Sequence, residues 1–202
     1  MFKNEKVLYV IDMVNGFVKE GIMHDNYIAH TVESQIDLIG KFLKEKQIIA
    51  LVKDTHLNNC IEFESFPPHC IKGSSEAQLI DEIKKYEKDS LVYEKNSTSA
   101  MYAPKLIEDL DKMDGLKEVV ICGCCTDICV LNFAIPLKNY FNQNNKSIKI
   151  YVVKDATETY DSATHNREEY NEMAYKLMSQ AGIKIVKNID ELEREEKENE
   201  NI

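Results

Sequence analysis

The chain has 202 residues, 44% of them hydrophobic, with ten Tyr, seven Phe and no Trp, enough to build the core of one globular domain. Thirty-five acids against 25 bases give a formal net charge of -10. That balance excludes a protein that grips nucleic acid or anionic lipid through clustered Lys and Arg.

The first apolar run, Val7 to Ile11, reads as a buried strand, and it is too short for a signal peptide or a membrane span before Asp12 interrupts it. The expected location is therefore cytoplasmic, where the six cysteines stay reduced rather than forming a disulfide framework. Ile28, Val32, Ile36, Ile39 and Leu43, three or four apart, predict an amphipathic helix. A second strand follows at Ile48 to Val52. From Asp54 to about Ser75 no periodicity appears, and a loop of that length inside a compact domain is usually functional. Weaker strand character at Ser90 to Tyr93 precedes a strong run at Val119 to Cys122. Thr126 and Asp127 are good N-cap residues, and the spacing of Ile128, Leu131 and Ile135 starts a helix there, with Cys129 in its first turn. Ile148 to Val153 is the next strand. Tyr170, Ala174, Leu177, Met178 and Ala181 predict a helix closed by Gly182, and Ile183 to Val186 a last strand. Six alternations of strand and helix predict a three-layer α/β/α sandwich around a mostly parallel six-stranded sheet, one domain over residues 1–189. From Asp190 to Ile202, seven acids and two bases predict a solvated, flexible tail.

In open α/β sheets the ligand sits beyond the carboxyl ends of the strands. The residues there are Asp12 after the first strand, Asp54 and His56 after the second, Lys95 after the third, and Gly123-Cys-Cys-Thr-Asp-Ile-Cys129 after the fourth. A thiol at a helix start beside a lysine is expected to populate its thiolate at neutral pH, and exposed N–H groups at that start make a natural oxyanion hole. Asp54 and His56, two apart in an extended segment, point to the same side and can share one ion. Cys122-x-Cys124-Cys125 lacks the C-x2-C spacing of a structural zinc site, and Cys122 reads as a small buried hydrophobe. His24, His30 and His165 fit no comparable constellation and read as surface or helix-face residues.

Asp12 within Ile-Asp-Met-Val-Asn-Gly-Phe17, Lys95 within Glu-Lys-Asn-Ser-Thr-Ser-Ala-Met, and the run from Gly123 to Val130 together resemble the isochorismatase-like cysteine hydrolases, and within them the nicotinamidases. The resemblance implies a catalytic triad of Asp12, Lys95 and Cys129, and a cis peptide between Cys124 and Cys125. It also implies an oxyanion hole from the backbone N–H groups of Cys125 and Cys129. The loop carrying Asp54, His56, Glu62 and His69 resembles the metal site of nicotinamidases, in which the ion holds the pyridine nitrogen; Glu64 competes with Glu62 for the third position. Two imidazoles and two carboxylates suit one divalent ion, zinc first, then iron or manganese. Phe17, Phe66 and Tyr102 are expected to wall a pocket for a flat heteroaromatic ring.

The implied activity is hydrolysis of nicotinamide or a close heteroaromatic carboxamide to the acid and ammonia through a thioester. The implied partner is thus a small-molecule amide, with neither nucleic acid nor membrane, and with homo-oligomerisation. Two alternatives stand beside it. One is a related hydrolase acting on a ureido, carbamoyl or vinyl-ether substrate; the other is a thiol sensor or zinc-binding module without turnover.

Overall fold

In the computed structural model, which describes residues 5–200, the first strand, β1 (Lys6–Ile11), is covered on both faces. Val7, Tyr9 and Ile11 enter one hydrophobic cluster, Leu8 and Val10 the other, and all five are buried. A strand apolar on both sides belongs inside a parallel sheet sandwiched between helices. The remaining strands are β2 (Ile48–Asp54), β3 (Leu91–Lys95), β4 (Glu118–Cys124), β5 (Lys149–Glu158) and β6 (Lys184–Val186). They pair in the order β3-β2-β1-β4-β5-β6, every pairing parallel.

The helices are α1 (Asn15–Val18), α2 (Val32–Lys44), α3 (Asp81–Lys84), α4 (Leu106–Asp111), α5 (Leu131–Gln143), α6 (Arg167–Gln180) and α7 (Ile189–Glu200). Leu106, Phe133, Leu137 and Met178 bring α4, α5 and α6 onto one face. Phe17, Leu38, Phe42, Ile83 and Leu192 bring α1, α2, α3 and α7 onto the other. This is the expected three-layer α/β/α sandwich. Strand order reverses between β1 and β4, so the crevice where a ligand can sit opens at their carboxyl ends.

Three local expectations are corrected. The acidic segment from Asp190 is no flexible tail as far as residue 200: α7 buries Leu192 fully and Glu196 almost fully, and Glu196 pairs with Lys6 at 2.7 Å and Lys41 at 3.0 Å. Amphipathic placement of one leucine and one carboxylate outweighs the segment's net charge; residues 201 and 202 lie outside the described part. Thr126 and Asp127 do not cap a helix with their side chains. Instead Thr126–Val130 forms a single π-helical turn ahead of α5, closed by Val130 N–H donating to the Cys125 carbonyl at 3.1 Å. Finally, β5 continues past its apolar run to Glu158, because a register shift against β4 between Ile121 and Gly123 lets it reach the crevice.

Pro136 lies inside α5 and has no N–H for the carbonyl of Asn132, one turn earlier. The Ser99 hydroxyl, in the loop after β3, donates to that carbonyl at 2.6 Å. A side chain near Lys95 thus completes the helix that follows Cys129.

Candidate active site

Four strand ends supply the site, and each side chain arrives through the pairing that fixes its strand. Asp12 follows β1 directly, with a left-handed backbone (φ 53°) and its N–H bonded to the Val52 carbonyl at 2.9 Å. Such a conformation in a non-glycine residue is costly and typical of functional sites; Asp tolerates it better than most. Asp54 and Lys95 end β2 and β3 as register partners. Lys95 is buried; its Nζ lies 2.8 Å from Asp12 Oδ2, bonds Asp54 Oδ1, and approaches Cys129 Sγ at 3.7 Å. The Cys124–Cys125 peptide, at the end of β4, is cis. Gly123 precedes it at φ 115°, where a Cβ would lie 2.0 Å from the Ile11 carbonyl oxygen, so only glycine lets β1 and β4 approach this closely.

The electrostatics differ from the expected resting thiolate. Burial, with Asp12 and Asp54 adding to it, holds the Cys129 thiol well above its ordinary range although Lys95 pulls the other way. Burial also raises Asp12 to about 7, helped by the Asp54 charge and opposed by Lys95. Asp54 itself is driven down despite its burial, chiefly by the charge of Lys95. Lys95, flanked by two carboxylates and the thiol, keeps its charge against the penalty of burial. Cys129 departs from the helix-end expectation because burial of the thiol, with two carboxylates adding to it, outweighs one lysine and a single turn of dipole. A neutral thiol beside a carboxylate poised near neutrality is the arrangement for proton transfer from sulfur to Asp12.

Asp54 joins this group to a second. Its Oδ2 lies 3.5 Å from His56 Nε2 and 3.7 Å from His69 Nε2, and these three ligand atoms fall within 4.8 Å of one another. His69 Nδ1 sits 2.8 Å from the Pro67 carbonyl, an acceptor, so its proton belongs there and the Nε2 lone pair faces Asp54. His56 Nδ1 meets Cys60 Sγ at 3.4 Å, while its Nε2 is buried without a hydrogen-bond partner among the described residues. Two aimed imidazole lone pairs and a carboxylate oxygen fit a divalent cation such as zinc. Glu62 lies outside this trio: its Oε2 accepts from Thr98 N–H at 2.7 Å, although the residue faces the same cleft. Glu64 is exposed and does not line it. Neither close ligand group among the described residues includes Cys122, Cys124 or Cys125. Burial pushes the Cys122 thiol upward, and Cys124 is raised by its bond to Cys125 and by burial, which removes the basis for a thiolate cluster.

The cleft is narrow and is lined by Phe17, Phe66, Met23, Ile128, Cys125 and Cys129, with Asp54, Glu62 and His69. Phe17 and Phe66 flank His69, with ring centroids 5.5 and 6.4 Å away. Tyr102 is not there. The 3-10 turn Ala100–Tyr102 turns Ala100 and Met101 inward and leaves Tyr102 79% exposed. Sequence reasoning missed Met23, which no motif marks, and Ile128, which its helical spacing assigned to packing. It also missed Phe63, whose ring stands 5.3 Å from His56 and 5.8 Å from His69. His165, read as a surface residue, is buried between Tyr160 and Tyr170.

Residues 6–190 match the isochorismatase domain. Nicotinamidase 1 of Arabidopsis thaliana is 29% identical over 150 residues, covering 66% of this chain and 61% of that protein, so the match spans less than two thirds of that relative. An isochorismatase family protein of Bacillus subtilis, PncA, is 30% identical over 172 residues, or 80% of this chain and 90% of that one. The pyrazinamidase/nicotinamidase structure from Streptococcus mutans superposes with a TM-score of 0.76 at 26% identity, covering 90% of this chain and all of that one. No helix among the described residues is long and apolar enough to cross a membrane. By its matched domain, its relatives and its sheet, the chain belongs to the isochorismatase-domain family.

Proposed function

We propose that the chain hydrolyses nicotinamide, or a close heteroaromatic carboxamide, to the acid and ammonia, with Cys129 as nucleophile. The observation that carries this reading is Lys95 Nζ, buried and bonded to Asp12, Asp54 and Cys129 at the head of a cleft walled by Phe17 and Phe66. As sulfur attacks the amide carbon, the thiol proton passes to Asp12. The backbone N–H groups of Cys125 and Cys129 receive the oxyanion. Asp12 then gives its proton to the departing ammonia, leaving a thioester. Water, losing a proton to Asp12, cleaves the thioester, and that proton returns to Cys129. Lys95 keeps its charge throughout and holds Asp12 in reach. Asp54, His56 and His69 would hold a divalent ion, zinc first, which when bound offers a coordination point for a ring nitrogen. The setting for this reaction is taken to be the cytoplasm.

The test is ammonia release from nicotinamide by the purified protein, before and after chelation and on restoring zinc, iron or manganese. Release should fall on chelation and return with metal, and Cys129→Ala should lower it at least about 10³-fold. Absence of release from folded, metal-loaded protein would overturn the substrate assignment and move the search to ureido or carbamoyl compounds.

A further inference from the structure

The turn that carries Cys129 is held from outside the crevice by a polar pair, a buried histidine and a half-buried aspartate, that the reaction above does not use. Asp127, two residues before Cys129 and two after Cys125, accepts from the Thr159 hydroxyl through Oδ1 at 2.5 Å and meets His165 Nε2 through Oδ2 at 2.8 Å. His165 Nδ1 faces the Tyr160 carbonyl at 3.0 Å, so both ring nitrogens point at acceptors. The imidazole is 6% exposed and slotted between two rings, Tyr160 at 3.9 Å with planes 11° apart and Tyr170 at 3.7 Å with planes 29° apart. Thr159 is fixed in turn: its N–H donates to Glu158 at 2.8 Å, and its carbonyl accepts from Arg167 Nε at 3.0 Å. Two anchors that are themselves immobilised therefore grip one side chain of a five-residue turn.

We infer that Asp127 and His165 are positioning residues for acyl transfer: by clamping the Thr126–Val130 turn to the end of β5 and the loop before α6, they hold the Cys125 and Cys129 N–H groups where the oxyanion forms. The inference rests on the reading of Cys129 as nucleophile, not on the identity of the amide. The turn's own closure, through N–H groups of Ile128 and Val130 onto the Cys125 carbonyl, leaves its tilt relative to the sheet to external contacts. Asp127 supplies two of them. Acyl transfer at sulfur passes through an oxyanion and feels that tilt. Alkylation of the same sulfur forms no oxyanion and does not.

The experiment compares two rates on Cys129, mapped by mass spectrometry: acetylation by p-nitrophenyl acetate and alkylation by iodoacetamide. The full-length wild type is set against His165→Gly and Asp127→Asn. Acetylation should slow about 10- to 100-fold in both variants, the scale of losing one oxyanion donor or less, while alkylation stays within about twofold. Added imidazole, filling the slot between the two tyrosines, should restore acetylation in His165→Gly but not in Asp127→Asn. Unchanged acetylation, or the two rates moving together as a merely loosened turn would make them, overturns the inference. If the glycine variant does not fold, Thr159→Val removes one anchor alone: a drop in the ratio of acetylation to alkylation supports the clamp, and an unchanged ratio overturns it. Failure of the wild type to release ammonia from nicotinamide would refute the substrate assignment and leave this ratio as informative as before.

Discussion

At the scale of single residues, the chemistry depends on where burial puts each proton. Asp12 at about 7 sits above its ordinary 3.8, so the folded state binds this proton more tightly than the unfolded chain. Its contribution to stability must therefore fall as pH rises from about 4 to about 7. Activity runs the other way, because only the ionised carboxylate can accept the thiol proton. We expect kcat/KM to decline as pH drops through about 7, and Asp12→Asn to abolish turnover while flattening the dependence of the urea midpoint on pH across that window. Asn is the informative replacement because it tolerates the left-handed backbone at this position. The meeting of Asp12, Lys95 and Cys129 was legible in the sequence, since each stands at or just after a strand end within a recognisable motif. Their ionisation was not. That depends first on burial, and then on Asp54 and Asp12 converging on one sulfur, a proximity set by strand order. Tyr102 shows the same limit, because spacing from Lys95 cannot say which way a three-residue turn faces.

At the scale of elements, the strands were readable because an apolar run covered on both sides leaves a plain signature, whereas α7 was masked by its charge. Seven acids suggested a solvated end, yet one buried leucine and one carboxylate facing two lysines suffice to dock it. Glu196 is the key to that docking. Glu196→Ala should lower unfolding free energy by about 1.5–3 kcal/mol, the range for hydrogen bonds to charged groups, as read from urea titration. The loss should shrink at high salt only partly, because the pair is largely shielded from solvent. Deacylation and acylation at Cys129 should be untouched, since α7 packs against α2, β5 and β6 rather than against the nucleophile turn. His165 was missed for a related reason. Nothing in its neighbourhood repeats with a helical or strand period, and its partners Asp127 and Tyr170 come from separate elements.

At the scale of the whole molecule, the crevice exists because β1 and β4, distant in sequence, pair directly. Gly123 is the narrowest point of that pairing. Gly123→Ala would push a methyl onto the Ile11 backbone at a left-handed position, and backbone on both sides cannot yield. We expect loss of soluble folded protein, or at least about 4 kcal/mol of destabilisation, the exceptional end of single substitutions, measured by circular dichroism and denaturant titration. The seam also governs when the chain becomes reactive. As synthesis proceeds, Asp12, Asp54 and Lys95 emerge first and Cys129 well after them, and the sulfur meets its acid only once the central parallel pairing has closed. Non-local pairings of this kind form late. Until then the thiol is an ordinary cysteine, so a nascent or half-folded chain carries no hydrolytic activity, and regain of turnover during refolding serves as a direct clock for closure of the sheet.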